Sequence, residues 1–281
     1  MKSRNIKAIC VMNASQKIMS LSILSWNVNG LRSVLRKGNL IAEIAGPCGI
    51  QPDIICLQET RCPCDLLVPG ADAYVFKTIL PSDKAGYAGV GIFSKVAPVA
   101  MVQAPADLGT GRCLCADFGE FYLINLYVPN SKNDLLALPT RTQVWEPGVR
   151  AFIKSLLKPV VVVADFNVAP DAKEDVYMYK PSHMPGASVE ERAEYAKLLD
   201  ECDLVDTFRE LHPDAREWTW FSNFAGARAN DHGWRIDMTL VSRSMLGQVV
   251  RSEILGHVFG SDHVPILLEF DYTALQVKDS S

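Results

Sequence analysis

The run Pro159-Val160-Val161-Val162-Val163-Ala164-Asp165-Phe166-Asn167-Val168-Ala169-Pro170 organises the chain. Four consecutive valines read as a strand buried on both faces, because β-branched side chains suit a pleated sheet and nothing polar interrupts them. The strand then delivers an acid and an amide, Asp165 and Asn167, two positions apart, and period-two alternation points both to the same side. An unpaired carboxylate is expensive to bury, so an acid closing so apolar a strand needs a reason. A turn or a helix N-cap is one reason, since Asp and Asn are common in both. Chemistry is the other, and the rest of the chain repeats the arrangement.

Upstream, Leu21 to Val28 alternates as a strand and ends in Asn27, Asn29 and Gly30. Ile54-Ile55-Cys56-Leu57 is a second buried strand running into Gln58-Glu59-Thr60, and a third is expected around Tyr74 to Lys77. Gly86 to Ser94 reads as a glycine-rich turn entering a strand; a phosphate cradle would want a following helix, which is absent. Tyr122 to Val128 is another strand, closed by Pro129-Asn130. Helical spacing covers Leu31 to Ala45, through Val34, Leu35, Ile41 and Ile44, and a segment begun by Pro147 that places Val149, Phe152, Ile153 and Leu156 on one face.

Downstream, Ser188-Val189-Glu190-Glu191 is a capping box for a helix striped with Tyr195, Leu198, Leu199 and Cys202. Trp218-Thr219-Trp220-Phe221 and Trp234-Arg235-Ile236-Asp237 bracket a polar loop, and Gly260-Ser261-Asp262-His263 precedes the apolar strand Ile266 to Phe270. Strands outnumber helices, and helices separate groups of strands. The expectation is an α/β (α+β) protein with two stacked sheets and helices outside them.

The 281 residues carry no Gly/Ser- or Pro-rich linker and no short repeat, which favours one domain over residues 19–275. Residues 1–18 hold Lys2, Arg4, Lys7 and Lys17 and no acid. They read as a flexible extension, although a basic, acid-poor leader also fits an organellar transit peptide. Residues 276–281 read as a tail. No apolar run approaches the ~18 residues of a membrane span. The eight cysteines include two C-x-C pairs, Cys62/Cys64 and Cys113/Cys115, without a second zinc half-site, and are read as reduced thiols of an intracellular protein. A net charge of -4 argues against a general nucleic-acid coat, but not against an enzyme that binds a polyanion through a local patch while carboxylates hold a cation.

Five strand ends carry polar groups of this kind: Asn27/Asn29, Glu59, Asp165/Asn167, Asp237 and Asp262/His263. Each alone is more often structural than chemical, and His263 alone reads as a satisfied core histidine. Together they suggest one site, because ligands gather where strand ends converge. Hard oxygen donors such as Glu59 and Asp262, without a Cys/His cluster, favour Mg²⁺ or Mn²⁺ over zinc, and such a site suits phosphoryl chemistry.

Six ordered motifs carry a resemblance: Ser25-Trp26-Asn27-Val28-Asn29-Gly30-Leu31-Arg32, Cys56-Leu57-Gln58-Glu59-Thr60, Tyr127-Val128-Pro129-Asn130, Ala164-Asp165-Phe166-Asn167, Trp234-Arg235-Ile236-Asp237 and Gly260-Ser261-Asp262-His263. Over Leu21 to Phe270 the chain resembles exonuclease III-type abasic-site (AP) endonucleases of the endonuclease/exonuclease/phosphatase superfamily. Val176 to Ala187 matches that pattern poorly.

The resemblance implies a four-layer α/β sandwich, two mixed sheets flanked by helices, acting as a monomer on double-stranded DNA with abasic sites or damaged 3′ ends. It implies Mg²⁺ (or Mn²⁺) at Glu59 with Asn27 and Asp262 nearby, and Asp165, Asn167 and His263 also within reach of a metal. Asp165 would position or deprotonate the attacking water, Asn167 orient it or the pentacovalent phosphate, His263 held by Asp237 bind the scissile phosphate or assist proton transfer, and Tyr127 stabilise phosphate or leaving-group charge. Arg32, Lys37, Arg61, Tyr87, Asn130 and Arg141 match DNA-backbone contacts, and Trp220, Trp234 and Ile236 would wall a pocket for an extruded, base-free sugar. Trp218 and Phe221 read as core. The implied activity is incision 5′ to abasic sites, with 3′-5′ exonuclease or 3′-phosphodiesterase activity beside it. A related phosphoesterase acting on RNA, nucleotides or phosphoinositides is the alternative, and a non-catalytic DNA-damage binder is the third.

Overall fold

The computed structural model describes residues 20–37, 51–178 and 183–271, so the expected extension 1–18 and tail 276–281 lie outside the described residues. One six-stranded sheet runs β13 (Val249–Ile254), β14 (Ile266–Asp271), β1 (Ser20–Asn27), β2 (Ile54–Gln58), β4 (Val90–Ser94), β3 (Phe76–Leu80). The other runs β5 (Ala100–Val102), β6 (Cys113–Asp117), β7 (Tyr122–Tyr127), β8 (Val160–Asp165), β12 (Asp237–Ser242), β9 (Leu204–Asp206). Each holds one parallel pair, β1 with β2 and β7 with β8, among antiparallel neighbours, so both are mixed. A two-stranded ribbon, β10 (Trp220–Phe221) and β11 (Gly233–Trp234), pairs Trp220 with Trp234.

The valine run is buried on both faces because it lies between two hydrophobic layers. Val160, Val162 and Ala164 pack under helices α2 (Glu146–Ser155) and α3 (Val189–Glu201) through Val149, Phe152, Tyr195 and Leu198. Val161 and Val163 face the other way and meet Ile23, Cys56, Ile92 and Leu268 of the first sheet. The outer side of that sheet, with Leu24, Trp26, Leu57 and Leu267, is covered by Leu31 and Val34 of α1 (Leu31–Lys37). The layers are therefore helix, sheet, sheet, helix.

Several local expectations shift. The third strand begins at Phe76, because Tyr74 is buried behind a short 3-10 turn and its hydroxyl donates to the Pro52 carbonyl at 2.8 Å. The described part of α1 ends at Lys37, and Ile41 and Ile44 lie outside the described residues. Pro147 does sit in the first turn of α2, but a π-helical turn, Arg141–Trp145, leads into it. The capping box forms as read: the Ser188 hydroxyl accepts from Glu191 N at 3.2 Å, and the Glu191 carboxylate accepts from Ser188 N at 3.1 Å.

The inter-sheet layer changes character along its length. On β1, β2, β7 and β8 the inward series run Ile23-Ser25-Asn27, Ile54-Cys56-Gln58, Leu123-Asn125-Tyr127 and Val161-Val163-Asp165. At the polar end a buried amide latch crosses the gap. Gln58 Nε2 donates to Asn125 Oδ1 (2.7 Å) and Ser25 Oγ (2.8 Å), while Asn125 Nδ2 donates to the carbonyls of Leu57 (3.1 Å) and Gly91 (2.8 Å). Asn125→Ala strands those buried groups and is expected to cost about 1–3 kcal/mol in urea unfolding. Val99→Ala, at an exposed position, should change stability by less than about 0.5 kcal/mol. Equal losses in the two variants would contradict a stabilising role for the latch.

Candidate active site

At this polar end the chain leaves β1, β2 and β8 through residues with positive φ. Asn29 (44°), Glu59 (54°) and Asn167 (48°) all adopt the left-handed conformation. Asparagine tolerates it; a glutamate there is strained and must be held by its surroundings. Asn29 N donates to Asn27 Oδ1 and Asn167 N to Asp165 Oδ1, each at 2.9 Å, so the same Asx turn closes both strands. Strand alternation is thus not what brings Asp165 and Asn167 together; the left-handed turn is, and Asn167 Nδ2 lies 3.3 Å from Asp165 Oδ2.

Asp165 is 1% exposed. Asn27 Nδ2, from the opposite sheet, donates to its Oδ2 at 2.8 Å and also lies 3.3 Å from Glu59 Oε2. One amide nitrogen therefore joins two carboxylates. Beside them His263 Nδ1 bonds Asp237 Oδ2 at 2.8 Å, and donor atoms of Asp165, Asp237 and His263 lie within 4.8 Å of one another. Thr219 fixes the approach to Asp237, its hydroxyl accepting from the backbone N–H of Ile236 (2.9 Å) and Asp237 (3.0 Å). Asp262 accepts from Asn29 Nδ2 at 2.9 Å and from Trp220 Nε1 at 3.3 Å.

The electrostatics follow from burial and crowding. Burial, and then the neighbouring Asp237 carboxylate, push Asp165 up to about 7. Burial would hold His263 down, but the Asp237 carboxylate bonded to it prevails and raises the imidazole to about 10. Burial, with Glu59 and Asp165 nearby, keeps the Tyr127 phenol well above its usual range, so it is a neutral O–H donor. Burial opposes ionisation of Asp262 as well, yet His263 and the Asn29 bond leave it below the usual carboxylate range.

These groups border an open cleft of about 490 Å³. Trp220, Trp234 and Ile236 form its apolar wall, the two indoles meeting edge to face at 5.9 Å. Met184, Pro185 and Gly186, from the segment with the poorest match to the family pattern, close another side. Gly186 has φ 78° and a Cβ there would come within 3.0 Å of the Trp234 ring, so the wall depends on a glycine.

The cleft gathers Asn29, Glu59, Arg61, Tyr127, Asn130, Asp165, Asn167, Trp220, Trp234, Ile236, Asp262 and His263, with Asn27 and Asp237 directly behind. Arg32 and Lys37 are exposed on α1 outside it, and so is Tyr87, whose hydroxyl accepts from Arg112 Nη2 at 2.9 Å. Trp218 and Phe221 are buried and pack with Val264, as expected.

Arg141 is a correction. Expected at the DNA backbone, it is 1% exposed and spends its guanidinium on Glu146, Glu191 and the carbonyls of Phe166 (2.8 Å) and Asn167 (2.9 Å). It fastens the turn that carries Asn167 and cannot reach a surface ligand. The two amides expected near a metal, Asn27 and Asn167, face Asp165. The Asn27 oxygen is taken by Asn29 N and the Asn167 oxygen by Asn130 Nδ2 (3.0 Å), so both side chains turn nitrogen toward Asp165.

Sequence reading overlooked Asn133 at the cleft edge, and Arg112, which donates to the Tyr127 carbonyl at 3.0 Å with its guanidinium 4.8 Å from that ring's centre. It also overlooked Arg235, buried on Asp175 and Asp206 between two wall residues. An arginine flanked by Trp and Ile, and an amide midway along Tyr122–Tyr127, were the available signals.

The donor set fits a hard divalent cation: donor atoms of Asp165, Asp237 and His263 lie within 4.8 Å of one another, Glu59 is joined to Asp165 through the Asn27 amide, and Asp237 Oδ1 is buried without a hydrogen-bond partner.

Among known proteins, the model of the Endonuclease/Exonuclease/phosphatase family matches residues 24–263. The chain is 38% identical over 270 residues to Recombination repair protein 1 of Drosophila melanogaster, covering 92% of this chain but 38% of that protein's length. It is 33% identical over 261 residues to an exodeoxyribonuclease of Bacillus subtilis, covering 88% of this chain and 98% of that one. The AP endonuclease LMAP from Leishmania major has the same fold, with a TM-score of 0.78 at 27% identity over 90% of this chain and 88% of that one.

Two outcomes follow from the geometry. Arg141→Ala leaves Glu191 charged and unpaired in the interior and should cost about 3–5 kcal/mol in unfolding free energy; a raised KM at unchanged stability would instead mean a surface contact. In metal-free protein the His263 ring should remain protonated past pH 8 by NMR, and Asp237→Asn should bring its titration to about 6.5 or below. Because the folded value is raised, the pair's contribution to stability is complete below about pH 6.5 and is lost as pH rises through about 10. A wild-type transition near neutrality would contradict the pairing.

Proposed function

Since this chain belongs to the endonuclease/exonuclease/phosphatase family, we propose that it is a Mg²⁺-dependent phosphodiesterase of DNA base-excision repair. It cuts duplex DNA 5′ to abasic sites and removes blocked or damaged nucleotides from 3′ ends. The observation that carries this reading is the joining of Glu59 and Asp165 through Asn27, beside the His263–Asp237 pair and under an aromatic wall. The names of the relatives, an exodeoxyribonuclease and an AP endonuclease, support it.

Each residue then has a task. Glu59, with Asp165 and Asp262 nearby, would hold the cation, Mg²⁺ or Mn²⁺, which when bound withdraws charge from the phosphate oxygens. Asp165, buried at the end of its strand and tied to Asn27 and Asn167, positions or deprotonates the attacking water. Asn167, held by Asn130 and by the Arg141-anchored turn, orients that water. His263, protonated against Asp237, donates a hydrogen bond to a phosphate oxygen, and the neutral Tyr127 phenol donates to the charge that grows beside it.

Arg32, Lys37, Arg61 and Tyr87 attract the phosphodiester backbone, and Trp220, Trp234 and Ile236 receive the extruded sugar. A nucleotide without a base flips out at lower cost, and an apolar wall rejects one that carries a base by size. Residues 19–275 act as one catalytic unit, a monomer inside the cell. The six cysteines among the described residues are free thiols, and no described helix is long and apolar enough to cross a membrane.

A duplex with one tetrahydrofuran residue tests this. Pure protein should incise it 5′ to that residue in Mg²⁺ and stop in EDTA, and Asp165→Asn and His263→Ala should each lower kcat by on the order of 10²–10⁴ with little change in Tm. No incision in Mg²⁺, or faster turnover of RNA or a phosphoinositide in the same tube, would contradict it.

A further inference from the structure

A second pocket, of about 400 Å³, shares Asn29 and Asp262 with the catalytic cleft, so their hydrogen bond borders both. Its lining is basic, polar and aromatic rather than acidic: Ser33, Lys37, Asn223, Arg228, Phe259 and Ser261 stand around Asp262. Lys37 and Asp262 already have tasks in the proposed hydrolysis, but Asn223, Arg228, Phe259 and Ser261 have none.

Phe259 is the unusual member. It is 63% exposed, yet it is not loose. The Arg228 guanidinium stacks 4.0 Å from the centre of its ring, and Arg228 Nη2 is itself tied to the carbonyls of Gly256 (2.9 Å) and Val258 (2.5 Å). An isolated surface Phe needs no explanation. One pinned by a guanidinium that is bolted to the backbone presents a rigid aromatic ledge at the mouth of a basic pocket. Lys37 Nζ is set on the other side by the Gly260 carbonyl at 2.8 Å, and an ammonium so placed has further N–H groups for an anion. An aromatic ledge with a cation beside it matches a nucleotide: the ring takes the base and the cation takes the phosphate.

We propose that this pocket is a second nucleotide subsite, in which the nucleotide adjoining the cleaved phosphodiester lays its unstacked base on Phe259 and its phosphate toward Lys37 and Ser33. The occupant is part of the same DNA strand, because the pocket adjoins the cleft across the Asn29–Asp262 hydrogen bond. The inference rests on the phosphodiesterase reading above and narrows its substrates. DNA in which the neighbour of the cleavage point is unpaired, as at a mismatch or a frayed end, is favoured, because that base leaves the stack at lower cost.

The test is a set of tetrahydrofuran duplexes in which the neighbour on the 5′ or the 3′ side is a paired adenine, an unpaired adenine or a second tetrahydrofuran. For wild-type protein, KM for the unpaired adenine on one of the two sides should be about tenfold below that for the baseless neighbour, the size of one base–aromatic stack. Phe259→Ala should erase that ratio at unchanged Tm, and Phe259→Trp should restore it. With 2-aminopurine at the same position, titration in EDTA should change the fluorescence with wild-type protein and not with Phe259→Ala, a readout that does not require cleavage. A ratio and a fluorescence change that survive Phe259→Ala on both sides would overturn the subsite. Failure of wild-type protein to incise any duplex would count against the phosphodiesterase reading, with the fluorescence arm still deciding the subsite.

Discussion

A carboxylate almost without solvent at the end of an apolar seam constrains everything around it. Asp165 follows Val161 and Val163 into the space between two sheets, where an unpaired charge is severely penalised. Its hydrogen-bond donors come from both sides: Asn27 from the first sheet, and the backbone and side chain of Asn167 from its own turn. The sheets must therefore keep one register at that end. The Gln58–Asn125 latch, one step deeper in the seam, supplies it. The apolar half of the layer holds the sheets together without direction, while its polar half aligns them.

The same crowding prepares the chemistry. Asp165, Asp237, Asp262 and Glu59 outnumber the cations that face them, and Arg61, paired to Glu59, sits at the exposed rim. A neighbour within bonding distance settles His263 as a cation, whereas Asp165, with amides rather than a cation for partners, is left near 7. One environment thus sets an acceptor and a donor of protons side by side. Finding such oppositely perturbed groups is a sound way of locating acid–base roles.

Legibility in the sequence followed the range of the interactions. The valine strand, the Ser188–Glu191 capping box and the paired Asx turns at Asn27/Asn29 and Asp165/Asn167 are local, and residue types a few positions apart announce them. That the strand ends converge was inferable only from their recurrence and from the family resemblance. Arg141 was misread because its burial depends on Glu191, fifty positions away, and an arginine near a DNA motif looks alike whether it faces solvent or a buried acid. Asn125 hid inside a good strand pattern, since its value lies in reaching Gln58 across the sandwich. Phe259 carries no signal in the sequence, because nothing local shows the arginine that stacks on it from another loop.

The central claim is that the acids at the polar end of the seam are assembled for one divalent cation. Crystals grown with Mn²⁺ and measured for anomalous scattering test it most directly. The expected result is a peak in contact with the Glu59 and Asp165 carboxylates that disappears in Glu59→Gln. A peak elsewhere on the molecule, or none at saturating Mn²⁺ in a wild-type crystal whose cleft is open to solvent, would contradict it.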